Sequence, residues 1–249
     1  MKITFIGTSH GIPSETRFCS STMIEIGEAV YLIDGGAPVA DLLLRRGVDL
    51  NRIKAIFTTH IHADHTLGLL PLISLLNWTR MCQSAATDIF MTEEAGIEAF
   101  RNVILTVDKK FDDARLRFRK TEEGVFYSDD NLTVTAVPTK HMQNGAFPTY
   151  SLIIDAEGRR VVFTGDLHWA DAADFPLPAK EEPSDAIVCE MAHFSYEAIF
   201  PILKGCPTKQ VLFNHVFFKY EENMNAIREA GDSLGFPIRA VEDGDEVEI

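Results

Sequence analysis

Short apolar runs rich in β-branched and aromatic residues recur along this chain, each closed by a turn-forming Gly, Pro, Asp or Ser. In the first half the pattern predicts strands at Lys2–Gly7, Ser21–Ile26, Val30–Asp34 and Ile53–Thr59. Pro38–Arg46 has helical character, with Pro near its start and Gly47 just past its end. Thr66–Trp78 is apolar enough to form a buried helix, Asp88–Met91 reads as a strand and Glu93–Asn102 as a helix. The second half predicts strands at Leu132–Val137, Tyr150–Ile154, Arg160–Thr164, Ala186–Cys189 and Gln210–Phe213, with helices at Tyr196–Leu203 and Glu221–Leu234. Strands outnumber helices and come in meanders, which is not a simple βαβ repeat. The layer rule then favours an α+β arrangement of two packed sheets with helices outside. No repeat, low-complexity segment or linker interrupts the chain. The proline-bearing stretch Trp169–Ser184 reads as a loop, so residues 1–249 are expected to form one domain.

The strand at Ile53–Thr59 runs straight into His60-Ile-His-Ala-Asp-His65, three imidazoles and a carboxylate in six positions. Imidazole nitrogen and carboxylate oxygen are good donors to a divalent ion such as zinc. Strand alternation would set His60 and His62 on one side. A turn would then let Asp64 and His65 reach a second ion. The competing reading is a polar loop that happens to be rich in histidine, and clustering this dense disfavours it.

Composition narrows the class. The chain is 46% apolar and 24% charged, that of an ordinary globular protein, and no apolar run approaches the ~20 residues that span a bilayer. Met-Lys-Ile-Thr-Phe-Ile-Gly reaches a turn too early for a secretory signal. Cys19, Cys82, Cys189 and Cys206 are scattered without a Cys-x-x-Cys pair, which predicts reduced thiols and a cytoplasmic protein. A formal charge of −14 argues against a broad basic surface for extended nucleic acid, yet leaves room for a small anionic substrate at a local site. Two bound divalent ions would leave about −10 overall while making one spot strongly positive.

Three later segments repeat one design, an apolar run that ends in a possible ligand. Leu132–Lys140 leads to His141, Arg160–Gly165 to Asp166, and Gln210–Asn214 to His215. Taken singly, a histidine after a strand is more often a loop or core residue and a Gly-Asp is usually a turn; taken with the cluster, metal binding is the better reading.

His-x-His-x-Asp-His followed by a lone His, a Gly-Asp and a final His resembles the metallo-β-lactamase superfamily. Phe5–Pro13, Arg17–Ser21 and Tyr31-Leu-Ile-Asp-Gly-Gly36 resemble its ribonuclease Z-like phosphodiesterase branch, and the likeness runs from Met1 to about His215. The resemblance implies a four-layer αββα sandwich of two mixed sheets packed face to face. It also implies two divalent ions, zinc first, with manganese or iron also suited. His60, His62 and His141 would hold one ion, Asp64, His65 and His215 the other, and Asp166 would bridge them; Asp64 also counts among the catalytic residues.

Such a centre implies hydrolysis by a metal-bound hydroxide. Cleavage of a phosphodiester also benefits from a proton donor to the departing alkoxide. Glu190 and His193 resemble the branch's Glu–His pair but lie closer together. They can cooperate only if the strand ends near Glu190, and the alternative is a surface Glu beside a helix-capping turn. On the favourable reading His193 is the general acid and Glu190 orients it. His10 reads equally as a turn or a cleft residue, His168 as a loop residue or a support behind the ligands, and Asp34 as a turn cap or an orienter of a ligand imidazole.

A small cyclic or nucleotide phosphodiester fits the charge best. The ribonuclease grips tRNA with a basic, Gly-rich arm that has no counterpart in this sequence, which leaves tRNA 3′-end processing as an alternative. Lactonase or thioesterase chemistry of the same fold is another. Flavo-diiron oxidoreduction would require Glu at position 62 and an extra flavodoxin-like domain. A non-catalytic binding module would have no chemical reason to fill all seven ligand positions. The family often forms dimers, so a homodimer is expected.

Overall fold

A computed structural model of the chain describes residues 1–78, 86–142, 147–169, 171–217 and 233–249. The predicted helix Glu221–Leu234 and Cys82 fall largely or wholly outside them. The chain divides into two compact units. One comprises Met1–Gly7, Gly11–Thr121 and Asp243–Glu248; the other comprises Thr8–His10, Glu122–Glu242 and Ile249.

The first unit holds a mixed seven-stranded sheet. Its strands are β1 (Lys2–Gly7), β2 (Ser21–Ile26), β3 (Ala29–Ile33), β4 (Ile53–Phe57), β5 (Thr87–Met91), β6 (Leu116–Lys120) and β14 (Glu246–Glu248), in the order β14-β1-β2-β3-β4-β5-β6. Pairing is antiparallel from β14 to β3 and parallel from β3 to β6. Helices α1 (Val39–Arg45), α3 (Leu69–Asn77) and α4 (Glu94–Asp108) bury Leu43, Leu72, Ile73, Phe100 and Ile104 against Val30, Leu32, Ile56 and Ile89 of the sheet. Strand alternation sends Tyr31, Phe57 and Phe90 to the opposite face, where they are buried as well, and Tyr31 stacks on Phe57 at 6.4 Å. Burial on both faces explains why β3 and β4 read as unbroken apolar runs.

The second unit repeats the plan. Its strands are β7 (Gly124–Ser128), β8 (Leu132–Pro138), β9 (Tyr150–Ala156), β10 (Arg159–Phe163), β11 (Ala186–Met191), β12 (Val211–Val216) and β13 (Ile238–Ala240), in the order β13-β12-β11-β10-β9-β8-β7. Pairs β7–β8, β8–β9 and β9–β10 are antiparallel, and β10 through β13 are parallel. Helix α6 (Tyr196–Leu203) packs Ile199, Phe200 and Leu203 on Ile187, Cys189 and Phe213. Two antiparallel steps make β8 parallel to β10, so β8, β10, β11 and β12 all end at one edge of the sheet. The segments bearing His141, Asp166, Glu190 and His215 therefore emerge together.

Most predicted strands lie within two residues of their observed bounds, and the differences have local causes. Helix α4 continues six residues past the predicted end, to Asp108. The stretch Val-Ile-Leu-Thr-Val is β-branched and weakly helical by propensity, but burial of Ile104 holds it in the helix. The predicted helix Thr66–Trp78 is two pieces, α2 (Ala63–Thr66) and α3, separated by Leu67 and Gly68. Strands β6, β7, β13 and β14 were not anticipated. All four are sheet edges, and in β6 Leu-Arg-Phe-Arg-Lys carries the basic side chains that protect an edge, with Arg117 and Arg119 bonded to Asp88 at 2.6 and 2.7 Å. The stretch Trp169–Ser184 contains a short helix α5 (Leu177–Glu181), with Pro178 in its first turn. Cys19, Cys189 and Cys206 are buried free thiols. Among the described residues no helix is long and apolar enough to cross a membrane.

Leu72 is fully buried between α3 and its sheet. Leu72→Ala is expected to lower unfolding free energy by about 2–5 kcal/mol, read from the urea midpoint, because the cavity collapses only in part.

Candidate metal centre

In the first unit, the parallel neighbours β3 and β4 end side by side, delivering Asp34 next to Thr59 and the histidine cluster. Asp34 Oδ1 accepts from the Thr59 backbone N–H at 2.7 Å, and the Thr59 hydroxyl lies 3.0 and 3.1 Å from the two carboxylate oxygens. A hydroxyl that donates to Asp34 has its lone pairs left for His60 Nδ1, 3.1 Å away. Asp34 Oδ2 takes the Nδ1–H of His65 at 2.8 Å. One buried carboxylate thus places the proton on Nδ1 of both rings and turns both Nε2 lone pairs outward. Of the two readings open for Asp34, the structure supports the orienter of ligand imidazoles.

The strand itself stops at Phe57, so His60 and His62 are not aligned by strand alternation. They converge instead through the turn into α2, with His60 Nε2 and His62 Nδ1 2.9 Å apart. Asp64 Oδ2 lies 3.3 Å from His65 Nε2. The loop carrying Asp34 is pressed against this turn. A Cβ on Gly36 would sit 2.1 Å from the Asp64 carbonyl oxygen, and Gly35 N–H donates to the His65 carbonyl at 2.7 Å. Only glycine allows that approach.

In the second unit, three imidazoles face one carboxylate oxygen. Asp166 Oδ2 is 3.4 Å from His215 Nε2, 3.6 Å from His141 Nε2 and 3.9 Å from His193 Nε2. Gly165, with φ of 58°, makes the turn that brings Asp166 there. His215 is not at the strand end, as expected, but inside β12 at a bulge. Glu190 pairs with Asn214 and Met191 with Val216, leaving His215 as the extra residue. Its φ is 52° and its N–H bonds Asn214 Oδ1 at 2.8 Å. A bulge re-aims a side chain that pleat alternation would send elsewhere.

His141 donates from Nδ1 to the Leu167 carbonyl at 3.3 Å, so a bare Nε2 faces Asp166. Burial pulls its pKa below the ordinary imidazole value, against the opposing pull of Asp166, which favours the neutral form that ligates metal.

Glu190 and His193 form a pair. Strand β11 ends at Met191 and the chain doubles back. Both Glu190 oxygens lie 2.9 Å from His193 Nδ1, and they also accept the backbone N–H groups of Leu167, Ala192 and His193 at 2.8, 2.8 and 3.1 Å. The bulge of β12 and the end of β11 are thus one event, and it removes the obstacle that strand alternation raised. His10 packs edge-on against Phe217 at 4.6 Å. His168 bonds Asp171 at 2.9 Å within its own loop.

Sequence reasoning passed over three residues. Thr59 relays between Asp34 and His60. Asp174 accepts the backbone N–H groups of His168 and Lys140, tying the turn after Asp166 to the residue before His141. Trp169 meets His193 edge-on, with ring centroids 5.5 Å apart. A Thr-His dipeptide is a local hint for the first; the other two act across turns and carry no local signal.

The donor sets suit divalent ions. Two nitrogens bound to one tetrahedral zinc stand about 3.3 Å apart at Zn–N of about 2.0–2.1 Å. The His60–His62 and Asp166–His215 separations of 2.9 and 3.4 Å bracket that value. A bare Nε2 facing a carboxylate oxygen at 3.6 Å, as at His141, sets lone pair against lone pair, an arrangement that a cation relieves.

Residues 1–236 match a family described as Anti-Pycsar protein Apyc1. Ribonuclease Z of Bacillus subtilis (strain 168) is 32% identical over 144 residues, covering 57% of this chain and 46% of that protein, so the chain spans about half the length of the curated relatives it matches. The metallo-β-lactamase fold protein YhfI from Bacillus subtilis superposes with a TM-score of 0.80 at 20% identity, covering 100% of this chain and 99% of that one. A diphosphatase from the PhnP family gives 0.74 at 18% identity, with 100% and 97% covered.

Asp34→Asn keeps the shape but presents an amide N–H to His65 or Thr59, favouring the wrong tautomer. Metal affinity, measured by competition with a chromophoric chelator, is expected to fall about 10–100-fold, with the urea midpoint shifting far less than in Leu72→Ala.

Proposed function

The chain belongs to the Anti-Pycsar protein Apyc1 family, as a ribonuclease Z-like member of the metallo-β-lactamase superfamily, and from that premise we propose that it is a two-metal hydrolase of small cyclic or nucleotide phosphodiesters. The ligand assignment follows the family resemblance. On it His60, His62 and His141 would hold one ion, Asp64, His65 and His215 the other, and Asp166 would be shared. The observation that carries the reading is the donor geometry within each unit, above all three Nε2 atoms gathered within 3.9 Å of Asp166 Oδ2.

Divalent ions, when bound, acidify a water molecule and offset charge developing on the phosphoryl oxygens. The protein supplies the rest. Asp34 and Thr59 hold the imidazoles in the ligating tautomer. Glu190 anchors Nδ1–H of His193, so the second proton of the imidazolium resides on Nε2, the atom directed towards Asp166 and placed to protonate a departing alkoxide. The Glu190 carboxylate stabilises the cationic ring before transfer. Zinc is the first choice of metal on the donor set, with manganese and iron also suited.

The relatives named ribonuclease Z favour a second reading, tRNA 3′-end processing. The charge of −14 and an acidic balance over Asp171–Asp185 weigh against a long polyanion. Efficient cleavage of a precursor tRNA would replace the small-substrate reading.

Dialysis against chelator is expected to abolish hydrolysis of bis(p-nitrophenyl) phosphate, and two equivalents of ion per chain to restore it; a one-equivalent endpoint in elemental analysis contradicts the binuclear assignment. His193→Ala is expected to retain its metal and to lose about 10²–10⁴-fold in kcat on phosphodiesters. A full rate with metal bound removes His193 from the proton-donor role.

A further inference from the structure

Strands that end together at the sheet edge bearing Asp166 must begin together at the opposite edge. There the turn at 129–131 leads into β8, Glu157-Gly158 into β10, the segment 183–185 into β11 and Lys209 into β12. These segments line a cleft of about 630 Å³ that the proposed hydrolysis does not use. Its cationic side chains are already matched. Arg160 bonds Asp155 at 2.7 and 3.1 Å and also bonds Glu182, while Arg159 and Lys209 share Asp185 Oδ1 at 3.1 and 2.7 Å. Five carboxylates face three cations around the lining, so the cleft is electronegative.

Ser184 is an independent sign of a ligand. It lines the cleft and is 5% exposed, and its hydroxyl has no hydrogen-bond partner. Its backbone is satisfied, with the N–H bonded to the Pro207 carbonyl at 3.0 Å and the carbonyl accepting from Lys209 N–H at 3.1 Å. A buried hydroxyl left unpaired lowers stability unless something supplies the missing bond. The surplus of carboxylates makes a cation the fitting supplier. Among the described residues, no three carboxylates of the lining bring oxygens within 4.8 Å of one another, which disfavours chelation of a single metal ion. Guanidinium groups already held by carboxylates are poorly placed to take a phosphate. Leu132, Ala156 and Pro183 add apolar surface of the kind that methylene stems cover. We propose that this cleft binds an organic polyamine, with one ammonium at Asp130 on the exposed rim and another donating to the Ser184 hydroxyl. Binding there is independent of the phosphodiesterase reading.

Calorimetric titration of the zinc-loaded chain, at about 0.15 M salt to screen exposed charges, compares spermidine, 1,4-diaminobutane, n-butylamine and magnesium chloride. Saturable one-to-one binding of spermidine or the diamine is expected, with n-butylamine about tenfold weaker or more. Equal affinity for the monoamine, a preference for magnesium, or no saturable heat overturns the proposal. An acidic protein attracts polycations at many points. Asp130→Asn is therefore compared with Glu98→Gln, the same charge change at an exposed position of α4 in the first unit. Asp130→Asn and Ser184→Ala are each expected to weaken polyamine binding about tenfold, and Glu98→Gln to leave it unchanged. Equal losses in Asp130→Asn and Glu98→Gln, or full affinity in Ser184→Ala, overturn the site. The titration needs no turnover, so a wild-type protein that cleaves no diester contradicts the phosphodiesterase reading alone.

Discussion

The carboxylate of Asp34 governs the histidine cluster, because it determines which nitrogen each of two rings turns outward. It holds His65 directly and His60 through the Thr59 hydroxyl. An imidazole can ligate only through a nitrogen without a proton, so tautomer choice comes before geometry. That requirement explains the surrounding backbone. Asp34 sits at φ of 59° just past β3, followed by two glycines that let its loop lie against the α2 turn. Any side chain at Gly36 would push the loop off Asp64 and carry the carboxylate out of reach.

The second unit solves a related problem with different means. Four segments emerge at one sheet edge because their strands are mutually parallel, yet pleat alternation would scatter their side chains. The bulge at His215, the turn at Gly165 and the reversal after Met191 each break regular geometry where a ring or carboxylate must be re-aimed. Glu190 compensates for the last of these by accepting from Leu167, Ala192 and His193, so the irregular backbone leaves these N–H groups satisfied. Strain and hydrogen bonding are concentrated around Asp166, while the strands leading there remain regular and apolar.

Charge follows the same division. The molecule is acidic, but its candidate ligands are mostly imidazoles supported by buried carboxylates, and burial favours the uncharged ring at His141. A local site built this way would gain positive potential from a bound divalent ion rather than from lysine or arginine, which is compatible with a small anionic substrate on an acidic protein.

The periodicity of apolar residues was enough to establish strand-rich α+β architecture and most element positions, and the spacing of His60, His62, Asp64 and His65 pointed to metal-ligating chemistry. Those properties are local: a strand's pleat and a ligand's donor atom are set by residues within a few positions. Edge strand β6 and the extra turns of α4 were obscure because their stability comes from neighbours distant in sequence, such as Asp88 for Arg117 and Arg119. The role of Asp34, the pairing of Glu190 with His193 and the nearness of Trp169 to that ring were decided only by tertiary structure. Each depends on where a loop ends up after the sheets have formed, and on hydrogen bonds between segments whose separation in the chain carries no trace of their contact.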